Sequence, residues 1–72
     1  VSQMGAIETE LEMVERHVCR GEFIIAEQRS RIEQLSQQSF PIGEAEDLLR
    51  LFLEIQRQHV AHRDRLIRKS RS

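Results

Sequence analysis

Met4, Leu11, Val18, Ile25 and Ile32 recur at every seventh position, and Ile7, Val14, Gly21, Gln28 and Leu35 fill the companion positions between them. Eight of these ten sites are apolar, a spacing foreign to a strand or a loop, so residues 3 to 38 are predicted to form one long helix with a coiled-coil seam. Such a seam buries nothing unless another helix lies against it. Past Ser36 the pattern stops and Ser39, Pro41 and Gly43 follow closely. Pro41 disfavours helical geometry at Phe40 and has no backbone donor, which places a turn at residues 39 to 43. Glu44, Glu46 and Asp47 suit the positive end of a helix dipole and Arg68, Lys69 and Arg71 the negative end, so residues 43 to 69 are predicted to form a second helix.

Two long helices joined by a short connection become antiparallel neighbours, and the expected fold is an all-α helical hairpin that makes residues 1 to 72 a single domain. Roughly 36 residues in the first helix against roughly 27 in the second should leave an overhang of about 13 Å, with Met4 and Ile7 uncovered. The second helix carries two apolar lines, Leu48, Phe52, Ile55 and Leu66 beside Leu49, Leu53, Val60 and Ile67. A stripe that wide fits a helix with two neighbours, and the expectation is a homodimer of hairpins closing into a four-helix bundle. Its seam would hold Met4, Ile7, Leu11, Val14, Val18, Gly21, Ile25, Ile32 and Leu35 from the first helix and Leu48, Leu49, Phe52, Ile55 and Leu66 from the second. Gly21 costs about 1 kcal/mol relative to alanine inside a helix, so a break there into a three-helix monomer is the alternative. The heptad passes through Gly21 without a change of phase, which favours reading it as a point of close helix approach.

Composition narrows the function classes. At 72 residues a core is small enough to need reinforcement, and the lone Cys19 cannot form a disulfide within the chain. One cysteine and no basic-then-apolar leader point to a reducing, cytoplasmic setting. No apolar run approaches the ~20 residues of a membrane span, so no membrane association is expected. Eleven basic and twelve acidic residues give a formal net charge of −1, without the overall basic balance of a general nucleic-acid binder. The charges are segregated, however. Glu8, Glu10, Glu12 and Glu15 stand near the start, and Arg57, Arg63, Arg65, Arg68, Lys69 and Arg71 near the end. An antiparallel hairpin would bring these ends together and set Arg29 and Arg31 near Glu44, Glu46 and Asp47.

Several segments in order, Arg16-His17-Val18, Gly21-Glu22, Ile25 to Arg29, Glu44 to Leu49 and His62 to Leu66, resemble a group of short helical-hairpin proteins of unassigned function from alphaproteobacteria, many of them from rhizobial relatives. The resemblance spans about residues 16 to 66. It implies a small bacterial cytoplasmic protein and supplies no activity; ten arginines against one lysine would suit a GC-rich genome.

Candidate chemistry is sparse. His59 and His62 lie three apart on one helix face and are the weak candidates for a metal, with His17 and Cys19 near their level, but the four share no standard ligand spacing. Packed structural histidines are the plainer reading, and no metal or cofactor is expected. Two helices offer no enclosed pocket for a nucleophile and its base, so no catalytic residue is assigned and the protein is not expected to be an enzyme. Phe23 sits almost opposite the seam with Met13, Arg16 and Arg20 around it, the composition of an interaction hot spot. The expected function is a noncatalytic interaction or adaptor protein, a hairpin homodimer that docks a protein partner through Phe23, Met13, Arg16 and Arg20. The alternative is a nucleic-acid-binding hairpin dimer like the plasmid copy-control Rop proteins, laying the basic C-terminal helix face, with Arg65 and Arg68, along RNA.

Overall fold

Thr9 and Glu12 decide where the first helix starts. In the computed structural model, which describes residues 8–71, the Thr9 hydroxyl accepts from the Glu12 backbone N–H at 3.0 Å, and the Glu12 carboxylate accepts from the Thr9 N–H at 2.9 Å. This reciprocal cap satisfies two backbone donors that a helix start leaves open. Helix α1 accordingly spans Glu10–Gln37, 28 residues. The heptad placed its start at residue 3, and Glu8 and Thr9 are not helical. A hydrophobic repeat reports which residues can face a partner helix and says nothing of where the backbone can be capped. Met4 and Ile7 lie outside the described residues. Past the cap, α1 runs through Gly21 without a break, so the three-helix alternative is not adopted.

The end of α1 is equally defined. The last helical residue is Gln37, one residue before the limit expected, Gln38 is the C-cap, and Ser39 takes a left-handed φ of 62°. Ser39 N–H donates to Ser36 O at 3.0 Å and Phe40 N–H to Leu35 O at 2.9 Å, the paired bonds of a Schellman turn. Glycine usually occupies that left-handed position because a Cβ there is strained. Pro41 follows where the chain cannot continue helically, and the bond from Glu46 N–H to Ile42 O at 2.8 Å opens helix α2, Gly43–Arg71, 29 residues. Helix α2 starts where the sequence placed it and ends two residues later. With α1 shortened, the two helices match in length to within one residue, and the expected overhang is absent among the described residues.

The helices pack as an antiparallel hairpin. Val14 and Val18 are the buried apolar side chains among the described residues, at 1% and 5% exposure, and Leu11, Ile25, Ile32 and Leu35 are partly buried along the same seam. On α2 the residues turned to α1 recur by fours and threes, Ala45, Leu49, Phe52, Gln56, His59, Arg63 and Leu66, each partly buried. Leu48 and Ile55, expected in the seam of the four-helix bundle, flank the contact between the two helices and are exposed. The polar residues Gln56, His59 and Arg63 share the inner line with Leu49, Phe52 and Leu66.

Two glutamines tie the helices in register. Gln28, buried in the α1 seam, donates its side-chain N–H to Ala45 O at 2.9 Å, and Gln56 of α2 donates to Val18 O at 2.9 Å. Each tie is worth about 1 kcal/mol net, and slipping the helices by a turn would orphan both amides, so their effect is on register more than on stability.

Candidate interaction surfaces

Gly21 provides the space on which the middle of the hairpin depends. The Gln56 amide lies against its Cα so closely that a Cβ at position 21 would overlap the amide oxygen. That oxygen, Gln56 Oε1, is buried and has no hydrogen-bond partner. Beside Gln56 a pocket of about 200 Å³ opens between the helices, with Gly21 and Ile24 on one side and Phe52, Ile55 and His59 on the other. Its walls are almost wholly apolar. No sequence motif announced it, although a glycine at a seam position signalled that something other than its own side chain fills that level.

The histidines belong to the same face. His17 of α1 and His59 of α2 stack at a tilted 5.1 Å between ring centroids, and His62 Nε2 lies 3.1 Å from Glu10 Oε2. His59 and His62, paired as a weak metal candidate, are thus each turned to a different residue of α1. Among the described residues no group of three or more His, Cys, Asp or Glu side chains could hold a metal ion. Cys19 is exposed and a free thiol.

The remaining ion pairs are mostly local. Asp47 pairs with Arg50 on its own helix, Arg57 with Glu54 at 3.2 Å, and Arg63 with Asp64 at 3.3 Å. Among the described residues no ion pair joins Arg29 or Arg31 to Glu44, Glu46 or Asp47 across the turn, and Asp47 is taken by Arg50 one turn along its own helix. The acidic start of α1 does meet α2, through Glu10 and His62.

On the outside of α1, Phe23 is 63% exposed and forms a shallow surface with Arg16, Cys19 and Arg20; Met13 is exposed one turn before Arg16. Arg16 is already engaged. Its guanidinium makes a two-pronged contact with Glu8, Nε to Oε2 at 3.0 Å and Nη2 to Oε1 at 2.9 Å. The bond to Arg16 holds the Glu8 carboxyl below its ordinary range, and Glu8 raises Arg16 in return. The pair folds the residue before the cap back onto the helix, a contact the heptad did not foreshadow.

No family model, no curated protein and no solved structure matches the chain. No helix among the described residues is long and apolar enough to cross a membrane.

Proposed function

We propose that this protein is a noncatalytic adaptor: a homodimer of hairpins that closes its apolar faces into a four-helix bundle and docks a protein partner on the outer face of α1. The observation that carries the reading is a shortfall of burial. Two buried valines among the described residues make a small core, and a chain of this size is marginal even when well packed. Meanwhile Leu48, Leu51 and Ile55 stand exposed on one helix, a surface that association would cover.

The docking patch is Phe23 with Met13, Arg16 and Arg20. An exposed aromatic flanked by methionine and arginine supplies apolar area and charge-assisted hydrogen bonds in one place. Arg16, held by Glu8, would exchange that carboxylate for an acidic group of the partner, whereas Phe23 needs only to be covered. The setting is the bacterial cytoplasm, which suits the resemblance of residues 16 to 66 and an exposed free cysteine.

Phe23→Ala tests the patch. Helicity and self-association should be unchanged while capture of the protein partner is abolished; loss of self-association would instead make Phe23 part of the dimer contact and remove the docking role.

A further inference from the structure

The exposed apolar residues share one broad face with the ends of a charge pattern. On α1, Glu10, His17, Ile24 and Arg31 recur at every seventh residue, forming one flank of the seam. On α2, Leu48, Ile55 and His62 do the same. The contacts His17 to His59 and Glu10 to His62, and the pocket shared by Ile24, Phe52 and Ile55, set these residues on the same side of the hairpin, and the seven-residue spacing carries the rows on to Arg31 and Leu48.

We propose that this face is the contact between two copies of the chain, with α1 of one copy antiparallel to α1 of the other and the two-fold axis passing through the pocket. The inference rests on the homodimer reading and gives it a face and a register. The argument is in the α1 row. Glu10 and Arg31 are equidistant from the midpoint between Arg20 and Gly21, and so are His17 and Ile24. A two-fold axis across that midpoint sets each Glu10 opposite Arg31 of the second copy, about 16 Å to either side at 1.5 Å per residue. Parallel alignment of the same rows would set like charge against like.

The pocket obeys the same symmetry. Its α1 wall is His17, Arg20, Gly21 and Ile24, centred on the same midpoint, so the axis lays one pocket over the other. Ile55 and Phe52 of both copies then meet at the shared centre. An apolar centre with a charged rim is the usual anatomy of a specific protein contact. Arg20 is brought near its own counterpart, and its long stem carries the charge outward to water, which limits the repulsion.

The test is a charge exchange in trans, read by sedimentation equilibrium at low salt. Glu10→Arg alone creates two repulsive rim contacts per dimer, and so does Arg31→Glu alone; each should weaken dimerisation about tenfold. Mixed in equal amounts, the two variants form a heterodimer in which every rim position meets its opposite charge, and affinity should return to that of the unmodified protein. Contacts within one chain cannot produce rescue by mixing. If the unmodified protein dimerises and the mixture associates no more tightly than either variant alone, this register is wrong while the homodimer stands. If the unmodified protein is a monomer at every concentration, the register and the homodimer reading both fall.

Discussion

The two helices match in length to within one residue and cover their apolar residues very unequally. Helix α1 is narrow: its heptad places one apolar line toward α2, and Val14 and Val18 disappear behind it. Helix α2 is broad. It has no fully buried residue, and Leu48, Leu51 and Ile55 keep 40%, 54% and 41% of their surface in contact with solvent. A single neighbour therefore covers the heptad seam of α1 and only half of the apolar stripe of α2. At about 25 cal/mol per Å² of apolar surface removed from water, the uncovered half of α2 is the largest unused source of stabilisation on the hairpin. The difference teaches that the hairpin is one layer of something thicker, and that the second layer belongs on the flank of α2 marked by Leu48 and Ile55.

The contrast can be broken most forcefully at Ile55. Ile55→Arg puts an unpaired charge at the centre of the proposed contact, where desolvation is costly, and should weaken self-association at least about a hundredfold while leaving the α1 seam in place. Unchanged association would remove this flank as the contact. A finer comparison sets Leu48→Ala against Val18→Ala. Val18→Ala deletes buried methyl groups and should cost about 2 kcal/mol of unfolding free energy at any protein concentration. Leu48→Ala should cost as much where the dimer predominates and less than about 0.5 kcal/mol where it has dissociated, because Leu48 is then a surface residue. Equal costs for Leu48→Ala at both extremes would mean that nothing covers it.

The smallest expected effect lies at Gly21. Alanine is better than glycine in a helix by about 1 kcal/mol, so Gly21→Ala should stabilise, yet its Cβ would expel the Gln56 amide and lose a bond of similar worth to Val18 O. The single substitution should be near neutral in chemical denaturation. In a Gln56→Ala background, with the amide gone, the same substitution should gain close to 1 kcal/mol. A full gain in the unmodified chain would mean that the tie from Gln56 contributes nothing.

Much of this architecture was legible in the sequence, for reasons that differ by element. The α1 seam and the turn at Pro41 were readable because periodicity and a missing backbone donor act through local geometry. The start of α1 was readable as well, in Thr9 and Glu12, but the longer heptad masked a four-residue capping signal. Ser39 gave no signal: a left-handed residue is legible as glycine and silent as serine. Leu49, Phe52 and Leu66 of the expected stripe lie on the inner line of α2, but hydrophobicity alone could not show that Gln56, His59 and Arg63 share that line. Gln56 and His59 are tolerated there because α1 offers each a partner, Val18 O for Gln56 and the His17 ring for His59, while Arg63 is paired with its own neighbour Asp64. The pocket and the Gln56 tie depend on two chain segments meeting, which no single window of sequence contains.

The outer patch stands apart from this reasoning. Phe23, on the far side of α1 from the seam, is not needed to close either layer, and its exposure is what a dimer would leave over for another protein. Whether that surface is free depends first on how many copies of the chain assemble. Sedimentation equilibrium across a wide concentration range answers this directly: the account predicts a species of twice the 8.5 kDa chain mass that dissociates only on dilution, and a mass of 8.5 kDa at every concentration would contradict it.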